Sequence, residues 1–183
     1  SNVRLENVKV KDQPGSNFYL EAADHAILRG NISENCGVSD VYIAAANSAT
    51  AEAGNNIIDN LCIIRDNTQT GPAIHVTDGT VTATTSLGCT GTFIKSVDIN
   101  HTALGTYTGN VVEIDGDRTR VELLSITADA DLDNAQKGIN IDGDYSVIDQ
   151  VFIDRMKFPI DDNGNYKQIR WPFLDLSNAQ ISS

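Results

Sequence analysis

One apolar frame recurs six times along this chain and constrains its fold more than any other feature. Hydrophobic side chains at positions i, i+3 and i+5 give Leu5, Val8 and Val10, and then Ile27, Gly30 and Ile32. The frame returns at Ile58, Leu61 and Ile63, and at Ile94, Val97 and Ile99. Its last two appearances are Val121, Leu124 and Ile126, and Ile148, Val151 and Ile153. Gly30 is the exception among otherwise apolar positions. The ends of successive frames are separated by 22, 31, 36, 27 and 27 residues. A helical repeat would fill those intervals with 3.6-residue periodicity. Here they hold short β-branched runs punctuated by Gly, Asn and Asp, which are strand and turn signals.

A second strand precedes each frame after the first. Alternating runs occur at Phe18-Tyr19-Leu20, Val41-Tyr42-Ile43, Ile74-His75-Val76, Val112-Glu113-Ile114 and Ile139-Asn140-Ile141. Side chains alternate across a strand, so the flanking apolar residues face inward and the middle residue faces out. A constant strand frame with variable spacing is what a β-solenoid tolerates, because extra residues leave at corners as loops. The expected fold is therefore all-β: a single-stranded, right-handed parallel β-helix of about six coils over residues 1–155. Residues 156–183 are expected to form a C-terminal closing or interaction segment. Long corner insertions are expected at about 44–56 and 78–92.

Composition limits the function. The net charge of −12 disfavours phosphate backbones, so no nucleic acid partner is expected. Apolar stretches are only a few residues long, so no membrane insertion is expected. Cys36, Cys62 and Cys89 lack metal-ligand spacing and read as free or buried thiols.

The phrases Ser1-Asn2-Val3-Arg4-Leu5-Glu6-Asn7-Val8-Lys9-Val10 and His25-Ala26-Ile27-Leu28-Arg29-Gly30-Asn31-Ile32-Ser33-Glu34-Asn35 carry a family resemblance. They resemble the strand pattern of the pectin-lyase-like right-handed parallel β-helix superfamily, over roughly residues 1–155. Within it, the likeness is nearest to bacteriophage tailspike and tail appendage proteins. The resemblance implies a virion-tail or extracellular domain, a homotrimer, that binds and in one reading hydrolyses a bacterial surface polysaccharide. Two alternatives are a non-catalytic structural or adhesive β-helix and a secreted polysaccharide lyase or hydrolase. No lyase motif of the Arg–Pro kind is evident.

Stacking the second strands in order gives one outward column of Tyr19, Tyr42, His75, Glu113 and Asn140. A second column would hold Glu21, Ala44, Thr77, Asp115 and Asp142. Sugar rings stack on aromatic faces while their hydroxyls bond to acids and amides. Tyr19, Tyr42, His75 and Asn140 are therefore the candidate substrate-binding residues. The sharpest local repeat is Ile114-Asp115-Gly116-Asp117 against Ile141-Asp142-Gly143-Asp144. Its plain reading is a repeated Asp-Gly corner turn. Its functional reading is glycoside hydrolysis by paired carboxyls, with Glu113, Asp115 and Asp142 as catalytic candidates. Asp142 would be base or nucleophile and Asp115 the acid, with Arg118, Arg120 and Lys137 as local counter-charges. No cofactor and no metal site are expected. A weak calcium-loop likeness at Asp129, Asp131, Asp133 and Asn134 lacks the expected glycine and final acid. Asn31-Ile32-Ser33 matches a glycosylation sequon on a predicted strand.

Overall fold

The computed structural model describes residues 2–45, 53–66, 69–77, 89–101, 109–128, 137–154, 158–163, 165, 168–170 and 173–174. They form strands and no helix. In chain order the strands are β1 (Arg4–Glu6), β2 (Lys9–Gln13), β3 (Phe18–Glu21), β4 (Ile27–Arg29), β5 (Ile32–Cys36) and β6 (Val41–Ala44). There follow β7 (Ala53–Gly54), β8 (Ile57–Arg65), β9 (Ile74–Thr77), β10 (Cys89–Thr90), β11 (Phe93–His101) and β12 (Val112–Ile114). The last are β13 (Arg120–Ala128), β14 (Lys137–Ile141), β15 (Val147–Ile153), β16 (Phe158–Asp162), β17 (Gln168–Arg170) and β18 (Phe173–Leu174).

A ten-stranded sheet runs β1-β4-β8-β11-β13-β15-β17, with β18 on β15 and with β2 joined through β5 to β8. A six-stranded sheet runs β16-β14-β12-β9-β6-β3. Strands β7 and β10 form a third, two-stranded sheet, and pairing in all three sheets is parallel. This topology corrects the expected single-stranded, right-handed β-solenoid of about six coils. The strands are shared between two large parallel sheets and one small one. The physical reason is that a recurring apolar frame marks which strands can lie side by side in register. It does not say which sheet a strand joins, which is decided by hydrogen bonds between distant segments.

The frame itself has a backbone cause. Strict alternation would turn positions i and i+2 inward, yet the frame is spaced i, i+3. One residue between them adopts the left-handed conformation and acts as a bulge that restores the inward direction. That residue is Asn7, Gly30, Asn60, Ser96, Leu123 and Gln150 in successive frames, with φ between 52° and 64°. Strands β8, β11 and β13 run through this point as nine-residue strands. The first two frames break there, into β1 and β2 and into β4 and β5.

The second frame is one residue out of place in the sequence reading. Leu28, not Ile27, pairs with Leu5 and Ile58, and Ser33, not Ile32, pairs with Val10 and Ile63. The inward set is therefore Leu28, Asn31 and Ser33, all at most 1% exposed. Two polar residues at core positions drew the apolar frame onto their neighbours. Gly30 then falls in the left-handed column, where glycine carries no Cβ penalty. Frames three to six pair as read: Ile58, Ile94, Val121 and Ile148 lie in one ladder.

Both large sheets turn their inner faces into one core. It joins Phe18, Ile43, Ile74, Val76, Ile114 and Ile141 of the six-stranded sheet to Leu28, Ile58, Ile94, Val121 and Ile148 of the ten-stranded one. Each fully buried aliphatic contributes about 1.5–3 kcal/mol. Several buried polar groups are met internally. Asn31 donates to the Leu5 carbonyl at 3.0 Å and accepts from the Val8 amide at 2.8 Å. Held this way, Asn31 is no glycosylation acceptor, and the sequon is structural. Asn56 does the same between the Ala23 carbonyl and the Ala26 amide. Asp40 and Arg65 form a fully buried ion pair at 3.1 Å, and Ser33 donates to Asp40 at 2.6 Å.

Pairing continues past residue 155. Strand β16 adds to β14 as an edge strand, a position that tolerates Pro159, and β17 and β18 add to β15. Of the insertions expected at about 44–56 and 78–92, residues 46–52 and 78–88 lie outside the described residues, as does the calcium-loop likeness at 129–134.

Candidate functional site

The outer face of the six-stranded sheet carries one continuous ladder. Tyr19 pairs with Tyr42, Tyr42 with His75, His75 with Glu113, Glu113 with Asn140, and Asn140 with Asp161. Tyr19, Tyr42, His75 and Glu113 are each the middle residue of an apolar-x-apolar run, so burial of the two neighbours turns them outward; Asn140 holds the same place but is buried, and Asp161 follows Ile160 on the edge strand. Parallel strands bring successive side chains within about 4.8 Å.

The aromatic end is ordered. The rings of Tyr19 and Tyr42 stack with centroids 5.2 Å apart and an interplanar angle of 1°. The His75 imidazole meets Tyr42 edge-on, at 5.1 Å and 89°. Tyr19 is 57% exposed, so much of its ring is open to solvent. Partial burial raises the Tyr42 phenol above its ordinary value, helped by Tyr19, Cys89, Asp115 and Glu21. The Tyr19 phenol is raised by burial and then by Glu21, to which its hydroxyl donates at 3.4 Å. Both hydroxyls therefore stay protonated at neutral pH and can donate.

The acidic end divides into two groups. His75 Nε2 lies 3.4 Å from Asp115 Oδ2. One donor atom each from His75, Glu113 and Asp115 lies within 4.8 Å of the others, all three residues being partly buried. Two carboxylates at that separation repel by about 1 kcal/mol in water and about 3–4 kcal/mol at an effective dielectric of 20. Asp142 belongs to the second group. It is exposed, and the Asn140 amide donates to it at 3.1 Å. Asn140 itself is 5% exposed and also accepts from Lys137 at 3.4 Å. Its position in the ladder thus serves to orient Asp142 rather than to offer a free amide to a ligand.

The second column is less uniform than the first. Glu21, Ala44 and Thr77 pair in register, but Ala44 is buried. Asp115 and Asp142 lie one residue beyond the ends of β12 and β14. Backbone bonds keep their places, with the Asp115 amide on the Val76 carbonyl and the Asp142 amide on the Ile114 carbonyl, both at 2.8 Å. Asp117 and Asp144 are corner acids. Asp117 accepts from the Asp144 amide at 2.8 Å, and Asp144 accepts from the Asn165 amide at 2.8 Å. The glycines beside them permit close chain approach: a Cβ on Gly143 would lie 2.3 Å from the Gly116 carbonyl oxygen.

Of the expected counter-charges, Lys137 forms an ion pair with Asp161. Arg120 serves the other sheet, bound to Glu122 and lying over Phe93. Asp161 is the ladder member that sequence reasoning missed. Its signal was the Phe158-x-Ile160 alternation, obscured by Pro159 and by the fading of the repeat after Asp154.

No protein-family model, curated protein or solved structure matches the chain.

Proposed function

We propose that the ladder from Tyr19 to Asp161 is a glycan-binding face. The observation that carries this is the parallel Tyr19–Tyr42 stack, set in line with His75 and the acids on one sheet face. Ring faces offer sugar C–H surfaces an apolar platform, and the adjoining carboxylates and phenols bond to hydroxyls. The net charge of −12 favours a neutral sugar over a polyanion. The wider reading is a tailspike-type domain on a virion tail or another extracellular surface, trimeric, with a bacterial surface polysaccharide as partner.

Binding to a glycan array tests the core of this. Tyr42→Ala is expected to weaken the best ligand about tenfold, from the ~1 kcal/mol or more that aromatic contacts supply. Equal binding by wild type, Tyr19→Ala and Tyr42→Ala would remove the reading. Sedimentation at working concentration tests the trimer.

Hydrolysis is a second reading, favoured by the proximity of Glu113 and Asp115. Carboxyl oxygens within 4.8 Å of one another come near the separation of about 5–5.5 Å used by retaining glycosidases. In this reading Glu113 and Asp115 are the reacting pair; Asp142, expected as base or nucleophile, is not in that cluster and is held by Asn140. Release of reducing ends from a bound polysaccharide is expected to vanish in Glu113→Gln and Asp115→Asn. Full release by both variants rules it out.

A further inference from the structure

We propose that His75, Glu113 and Asp115 bind a divalent metal ion of the zinc class, with one side of the ion left open. The three residues combine one imidazole nitrogen with two carboxylate oxygens, gathered within 4.8 Å of one another. Zinc holds nitrogen and oxygen ligands at about 2.0–2.2 Å, which places tetrahedral ligand atoms roughly 3.4 Å apart. His75 Nε2 and Asp115 Oδ2 already stand at 3.4 Å. Glu113 is the register partner of His75 and brings a carboxylate oxygen within 4.8 Å of both other ligand atoms.

The backbone prepares this arrangement. His75 and Glu113 sit on adjacent parallel strands, and the Asp115 amide is tied to the Val76 carbonyl. The edge-on contact with Tyr42 sets the plane of the imidazole. Two anionic ligands and one neutral one offset the charge of a divalent ion. The nearby cation of the same sheet face, Lys137, is engaged by Asp161 and Asn140.

The donor set also selects the ion. Calcium takes six to eight oxygen ligands and magnesium prefers an all-oxygen octahedron. An imidazole with two carboxylates suits zinc and its first-row neighbours. Three protein ligands leave a fourth position for water or for an incoming hydroxyl, as in open zinc sites. On the glycan reading, a sugar hydroxyl is what would fill that position. The metal site does not depend on the glycan reading, and the two fail separately.

Chelator-treated protein titrated calorimetrically with Zn²⁺, Ca²⁺ and Mg²⁺ provides the test. One equivalent of Zn²⁺ is expected, with Ca²⁺ and Mg²⁺ weaker by at least about 100-fold. His75→Ala and Asp115→Asn are each expected to lower zinc affinity by at least tenfold, since losing even an outer-shell partner costs about that much. His25→Ala is the control, because among the described residues His25 also forms a His–Asp contact, an exposed one 2.8 Å from Asp24. Co²⁺ loaded in place of zinc is expected to show visible absorption that His75→Ala abolishes. Circular dichroism checks that the variants fold. Absent zinc binding, zinc affinity unchanged in His75→Ala, or affinity lost only in His25→Ala overturns the proposal. Sugar binding retained in chelator by a protein that takes up no zinc defeats the metal site alone. Zinc uptake without any sugar binding defeats the glycan reading alone.

Discussion

Asp40 shows what a single buried charge does in this protein. Burial pushes its carboxyl above the ordinary carboxylate value, although the Arg65 guanidinium lies 3.1 Å away. Desolvation thus outweighs attraction, as is common for buried ion pairs. Removing one partner alone leaves the other charge in the core without it. Asp40→Ala is expected to lower stability by about 3–5 kcal/mol, and adding Arg65→Met should recover much of the loss. Denaturant midpoints of the two variants check this; a double variant no more stable than the single one would contradict it. Neither partner could be singled out from sequence. Asp40 lies beside the Val41 run and Arg65 closes β8, and nothing local says that they meet.

The left-handed column acts at the scale of the strand. It is occupied by Asn, Gly, Asn, Ser, Leu and Gln, of which Leu123 is the least suited. A non-glycine residue there costs about 1–2 kcal/mol, less for asparagine, whose side chain bonds locally. Leu123 is 46% exposed, so replacing it forfeits little packing. Leu123→Asn is expected to raise stability by up to about 1 kcal/mol. Gly30→Ala should do the reverse, because its Cβ would come 2.6 Å from Asn7 Oδ1 at a φ of +64°. Thermal unfolding of both variants reads the contrast.

The pairing of β14 with β16 adds a pH dependence. The hydrogen bond from Lys137, with its charge, holds the Asp161 carboxyl below its ordinary value of 3.8. A depressed carboxylate contributes stability that is complete above its unfolded pKa and is lost as pH falls through the lower folded one. Lys137→Met should therefore be less stable than wild type at pH 7, by at most about 1 kcal/mol for a pair this exposed. The gap is expected to close below pH 3.8, which melting curves across that range would show. Asp161 was hidden from the sequence reading because Pro159 argues against a strand, and only its place on a sheet edge allows it.

Charge also governs the whole molecule. On the outer face of the ten-stranded sheet, Glu6, Arg29, Asp59, Lys95 and Glu122 pair in one ladder of alternating sign. Arg29 reaches Asp59 at 3.0 Å and Glu6 at 4.0 Å. Cross-strand pairs of this kind are worth about 0.2–1 kcal/mol each. The remaining acidic excess, −12 overall, repels itself. Sodium chloride at several hundred millimolar shortens the Debye length to a few ångströms. The melting temperature is therefore expected to rise with salt; a fall would show that the alternating ladder outweighs the net repulsion.

By itself the sequence determined the outward column of four alternating runs. Alternation at Phe18-Tyr19-Leu20 through Ile139-Asn140-Ile141 sufficed to place Tyr19, Tyr42, His75 and Glu113 on one face, because side-chain direction is a local property of the strand. It could not determine the sheets. Ten strands in one and six in another, with a third pair between Ala53–Gly54 and Cys89–Thr90, follow from hydrogen bonds spanning tens of residues. Nor could it find the shift of Leu28, Asn31 and Ser33, because buried polar residues break an apolar pattern while their partners lie on other strands. The meeting of His75, Glu113 and Asp115 belongs to the tertiary structure for the same reason. Two of these residues are two apart and the third is 38 or more away, and parallel pairing of β9 with β12 brings them together.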